Sequence, residues 1–141
     1  MRVTLNIDGG ARGNPGPAAA AFVIRAADDG AVLRQRGIFL GKQTNNVAEY
    51  RALLAGLEAA AELGASQVEV VSDSELLVRQ MNGRYRVRNE DLKKLFDEAL
   101  ALQGKFSACT YRHVRREQNA PPDRLVNQAI NLKRNVTGDD G

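Results

Sequence analysis

The chain has 141 residues, 43% of them hydrophobic, and a formal net charge of +3. That length suits one domain able to bury a core without covalent staples, while a single cysteine, Cys109, excludes an internal disulfide and fits a reducing, cytoplasmic setting. No apolar run approaches the roughly 20 residues of a membrane span, and the absence of Trp among few aromatic residues argues against a base-stacking surface for single strands.

From the amino terminus, Val3, Leu5 and Ile7 alternate with Arg2, Thr4 and Asn6 in the two-residue period of a strand. The run ends in Asp8, at a strand's carboxyl end, where open α/β sheets place their chemistry. The glycines and prolines from Gly9 to Pro17 predict a loop. Ala18 to Ala27 and Ala31 to Gly41, separated by Asp28-Asp29-Gly30, predict a hairpin.

The longest helix is expected from about Val47 to Leu63, opened by Asn45-Asn46 and closed by Gly64. Its two apolar stripes predict deep packing, and one of them, projected back a turn, reaches Glu49. Gln67 to Ser72 reads as a buried strand, and Asp73-Ser74-Glu75 opens a short helix through Met81. Arg84 to Arg88 form a basic bridge to a helix capped by Asn89, followed by a strand from Phe106 to Val114. Asn119 to Arg134 is the last helix, with Pro121 and Pro122 in its first turn. The order predicts a mixed sheet with helices on its faces, as one domain over residues 1–136 with a disordered tail over 137–141.

Four acids recur at strand ends or helix starts: Asp8, Glu49, Asp73 and Asp123. Each has a structural role open to it. Asn46 to Glu49 has capping-box spacing, Asp73 could be an N-cap, and Asp123 could complement a helix dipole. Their common edge points further, because clustered carboxylates repel unless a cation neutralises them. Oxygen donors without a His or Cys cluster select magnesium or manganese. Two such ions about 4 Å apart suit attack of water on a phosphodiester. Two basic clusters, one from Arg79 to Lys94 and one at Arg112, Arg115 and Arg116, make a polyanionic partner plausible.

The segments Asp8 to Ala18, Thr44 to Leu53, Ser72-Asp73-Ser74 and His113 to Asn119 resemble, in order and spacing, the motifs of type 1 ribonuclease H. The resemblance runs to about residue 131. It implies a ribonuclease H-like five-stranded mixed sheet with helices on both faces. It also implies magnesium-dependent hydrolysis of RNA in RNA–DNA hybrids, leaving 5′-phosphate and 3′-hydroxyl ends. By the same resemblance Asp8 bridges both metals, Glu49 and Asp73 hold the leaving-group metal, and Asp123 completes the site for the attacking water. Pro121-Pro122 depart from the family's usual residues before that last acid. The family's mobile histidine has no counterpart in the short loop here; His113 is expected to be structural, and Glu117 is a candidate substitute.

Sensing a 2′-hydroxyl requires donors and acceptors at close range. Gly9, Gly10, Asn14, Asn45 and Asn46 supply that chemistry; Arg12 lies in the same motif, and Lys42 and Thr44 resemble the family's phosphate-gripping positions. The basic protrusion of some relatives is absent, leaving Arg84, Arg86 and Arg88 as a smaller ridge. The expected partner is an RNA–DNA hybrid, bound by a monomer without a membrane. Rival readings are a non-catalytic hybrid-binding module and another nuclease of this fold, including one for double-stranded RNA. A nucleotide-binding loop at Gly10, Gly13 and Gly16 is disfavoured because no helix follows it.

Overall fold

The alternation at the amino terminus forms the central strand of the sheet. In the computed structural model, which describes residues 1–138, β1 (Arg2–Ala11), β2 (Gly16–Ala26) and β3 (Val32–Gln43) form an antiparallel meander. Then come α1 (Asn45–Glu62), β4 (Gln67–Ser72), α2 (Glu75–Met81), α3 (Glu90–Gln103), β5 (Ala108–His113), a short 3-10 turn (Arg116–Gln118) and α4 (Ala120–Leu132). The sheet order is β3-β2-β1-β4-β5, with β4 and β5 parallel to β1. The five-stranded mixed sheet with helices on both faces is therefore present.

One core layer joins the sheet to α1, α2 and α3 through residues such as Leu5, Ile24, Leu53, Leu57, Val70 and Leu77. The other packs α4 residues Leu125, Val126, Ala129 and Ile130 on Ala19, Ala21 and Val23 of β2. Apolar residues on both sides of α1 explain its burial, as the two stripes predict.

The loop expected over Gly9 to Pro17 is smaller than its composition suggests. β1 and β2 stay paired through Gly9↔Ala20, Gly10↔Ala19 and Ala11↔Ala18, and the Arg12 N–H donates to the Pro17 carbonyl at 2.9 Å. A strand needs backbone partners more than side chains, and β2 supplies them, so glycine composition alone misplaces the turn. Asp8 consequently lies within β1 rather than at its end. Its parallel neighbour β4 does end there: the last β1–β4 rung is Ile7↔Ser72, so Asp8 and Asp73 are the residues that immediately follow it on the two strands.

The start of α1 also differs from expectation. Thr44 is the N-cap, its hydroxyl accepting from the Val47 N–H at 3.2 Å, so Glu49 is the fifth helical residue and forms no capping box. Likewise Ser74, not Asp73, caps α2 by accepting from the Leu77 N–H. The last strand is shorter than Phe106–Val114 because Phe106 turns into the core after α3.

After α4, Val136 and Gly37 exchange two backbone hydrogen bonds of 2.8 Å, and Asn135 Oδ1 accepts from the Phe39 N–H at 2.9 Å. Thr137, in the expected tail, accepts from Gln35 Nε2 through its carbonyl. Residues 139–141 of that tail lie outside the described residues.

Close approach of α1 to β1 fixes Glu49 near Asp8. A Cβ on Gly9 would overlap the Ala48 carbonyl group and the Glu49 nitrogen, whereas one on Gly10 would meet only Val126 Cγ1 at 3.9 Å. Gly9→Ala should therefore cost about 1–3 kcal/mol in urea unfolding, the range for overpacking. Gly10→Ala should change stability by less than about 1 kcal/mol.

Candidate active site

A cleft of about 590 Å³ opens where β4 stops and β1 continues. Asp8 comes from β1, Glu49 from the second turn of α1, Asp73 from the β4–α2 junction and Asp123 from the first turn of α4, and all four line it. Gly9, Gly10, Arg12, Asn45 and Asn46 line it too; Asn14, Lys42 and Thr44 lie outside the lining.

Asn14 and Thr44 still support the wall. Asn14 Oδ1 accepts from the Asn45 N–H at 3.1 Å, and Asn45 Oδ1 accepts from the Ala11 N–H at 2.7 Å, so the hairpin and the start of α1 are laced together. Thr44 fixes that helix start, while Lys42 is exposed on β3. The room gained by lacking a side chain at Gly9 is taken by α1, which leaves Gly10 as the glycine open to a ligand.

Asp8 is only 9% exposed. Burial first, then the charges of Asp73, Asp123 and Glu49 and a hydrogen bond with Asp123, push its pKa up to about 8. Glu49 is raised to about 7, chiefly by burial and further by Asp73, against a hydrogen bond from Ser74 that favours its charged form. Burial also raises Asp73, with Arg116 and His113 opposing. Arg116 Nη2 stands 3.6 Å from Asp123 Oδ1.

Such a cluster is a hard-oxygen donor set whose mutual repulsion a divalent cation would relieve. Among the described residues, no three His, Cys, Asp or Glu side chains are already drawn together around a common ion position. Asp123 interacts with Asp8 on one side and pairs with Arg116 on the other.

Some of the site escapes sequence reasoning. Arg116 lines the cleft whereas Glu117, the suggested substitute for a loop histidine, is exposed and absent from the lining. The 3-10 turn separates these neighbours, and its one-turn length leaves no periodicity to read. His113 is exposed at the end of β5, not packed as expected, because among the described residues β5 is an edge strand. Asn119 is wholly buried: its Nδ2 donates to the Ile7 carbonyl at 2.8 Å and its Oδ1 accepts from Asn6 Nδ2 at 3.0 Å. The residue before Ala-Pro-Pro reads only as a helix cap; nothing local shows that its amide reaches across to β1.

Fold and cleft together define a ribonuclease H-like domain. Residues 6–129 match the family model described as reverse transcriptase-like. A bifunctional protein of Mycobacterium tuberculosis is 47% identical over 130 residues, 92% of this chain and 36% of that protein. Its solved amino-terminal ribonuclease H domain, in a maltose-binding fusion, superposes with a TM-score of 0.90 at 46% identity, covering 92% of this chain and 99% of that one. Ribonuclease HI of Halobacterium salinarum is 40% identical over 129 residues, 92% of this chain and 64% of that protein. A compost-derived ribonuclease H1 in complex with an RNA/DNA hybrid superposes with a TM-score of 0.88 at 40% identity, covering 93% and 98% of the two chains. The chain thus spans about a third and two thirds, respectively, of the lengths of those two curated relatives. It belongs to the type 1 ribonuclease H family.

The raised carboxylates carry a pH dependence of stability. In chelator, Asp8 and Glu49 hold protons in the folded state that they have lost in the unfolded one between their ordinary values near 4 and about 8 and 7. Stability from this source is full below pH 4 and is lost as pH rises through that window. Thermal unfolding in EDTA should show a falling Tm from pH 4 to 8, and Asp8→Asn should flatten the decline.

Proposed function

We propose that this chain is an endoribonuclease that hydrolyses the RNA strand of RNA–DNA hybrids with two divalent ions, magnesium foremost and manganese as substitute. The observation that carries the reading is that Asp8 and Asp73 both follow directly on the last β1–β4 rung and line one cleft with Glu49 and Asp123. The 40% identical relative in complex with an RNA/DNA hybrid supports the choice of substrate.

Asp8, deepest of the four, would be the shared ligand, with Glu49 and Asp73 on the leaving-group side and Asp123 on the side of the attacking water. When bound, such ions activate water and stabilise the departing 3′-oxygen, which leaves 5′-phosphate and 3′-hydroxyl ends. The chain's own contribution is to hold acids that would otherwise be driven apart and to offer uncharged groups to the RNA. Asn45 spends its side-chain oxygen on the Ala11 N–H, so its amide N–H groups are what it can offer a 2′-hydroxyl. Asn46 is exposed beside it, and Gly10 lets a sugar approach the strand. Arg12 faces the same cleft from the hairpin.

Arg84, Arg86 and Arg88 are exposed between α2 and α3, with Tyr85 half exposed under the Arg79 guanidinium at 5.3 Å. We assign this ridge to the phosphates of the hybrid. The free thiol of Cys109 fits work in the reducing cytoplasm.

Parallel assays on hybrid, RNA duplex and DNA duplex, with magnesium or chelator, test the reading. Cleavage should be confined to the RNA of the hybrid and vanish with chelator; DNA cleavage, or cleavage unaffected by chelator, would overturn it. Asp8→Asn should reduce the rate to background while leaving Tm in EDTA at neutral pH unchanged or higher. Hybrid affinity should fall steeply with salt, and replacing Arg84, Arg86 and Arg88 by Ala should flatten the log–log slope by about one for each phosphate no longer neutralised.

A further inference from the structure

Asn6 is a buried polar residue that the chemistry above leaves without a task. It lies two positions before Asp8 on β1, hence on the same face of the strand, and is 9% exposed. That face is otherwise covered by the apolar layer under α4, where an aliphatic side chain would pack without needing a partner. Instead, Asn6 Nδ2 donates to Asn119 Oδ1 at 3.0 Å, which orients the Asn119 amide so that its Nδ2 donates to the Ile7 carbonyl at 2.8 Å.

Asn119 in turn holds two acid-bearing segments. The Ile7 carbonyl belongs to the peptide unit whose nitrogen is that of Asp8, and the Asn119 carbonyl accepts from the Asp123 N–H at 3.4 Å. One residue therefore grips the backbone at Asp8 with its side chain and the backbone at Asp123 with its main chain. Without Asn6 the amide could turn over, presenting its oxygen to another oxygen, and the grip would be lost.

We propose that Asn6 is a positioning residue: acting through Asn119, it sets the spacing of Asp8 and Asp123 and so the affinity of the cleft for divalent ions. The inference rests on the proposed metal-dependent reading, and its test separates the two. Thermal unfolding of the purified chain is followed against magnesium concentration for wild type, Asn6→Leu and, as a destabilised control at the far end of β1, Val3→Ala. Asn6→Thr, which suits a strand but is too short to reach Asn119, replaces Asn6→Leu should that variant not fold.

The Asn6 variants should need about tenfold more magnesium for the half-maximal Tm shift, in line with supporting-shell losses of 10- to 100-fold. Their KM for hybrid should stay within about twofold of wild type, because no group that touches substrate is removed. Val3→Ala should lower Tm and leave the magnesium midpoint in place. An unchanged midpoint in the Asn6 variants, with Tm lowered as in Val3→Ala, would overturn the proposal and leave the metal reading standing. A wild-type Tm indifferent to magnesium would overturn both.

Discussion

The cleft depends on β4 stopping at Ser72 while β1 runs on to Ala11. β2 lets β1 continue, since an antiparallel partner satisfies its backbone on one side after the parallel partner has left the other. The abandoned side becomes the place where Asp73, the start of α1 and the start of α4 can gather. Had β4 continued two more residues, Asp73 would be a strand residue with a neighbour across the rung, and α2 would begin too late for Ser74 to reach Glu49.

Holding four carboxyl groups there works against folding, and the surroundings show how that is managed. The sheet and α1 approach closely at two glycines, Gly9 against the Ala48 backbone and Gly56 against the Leu5 side chain, so Glu49 cannot retreat without unpacking the core. On the other face the Asn6–Asn119 pair ties α4 to β1. Arg116 supplies a positive charge from the surface, and burial raises the Asp8 pKa so that its neutral form is favoured. Were the proposed ions to bind, they would displace protons from these acids, so binding would release protons.

Much of this was readable from residue order. The three opening strands, the deep packing of α1 and the four acids are local patterns joined by one inference about a shared edge. What escaped was non-local. Whether Gly9 to Ala11 form strand or loop depends on β2 pairing with them, and Thr44 rather than Asn45 or Asn46 caps α1, with Asn14 bonded to the Asn45 N–H. Asn6 is one of the polar members of the alternating strand, yet the layer under α4 buries it. Single residues announce their chemistry in sequence, but the partner that gives an amide its orientation is 113 positions away.

The closing of β3 by Asn135 and Val136 has a bearing on synthesis. β3 is an edge strand, and an open edge is a template for pairing with another chain. Its cover is supplied from about a hundred residues downstream, since Phe39 and Asn135 are 96 positions apart and Gln35 and Thr137 are 102 apart. A nascent chain therefore displays residues 35–39 of this strand edge uncovered until residue 136 has left the ribosome, and crowded polysomes are where it would meet other copies of itself.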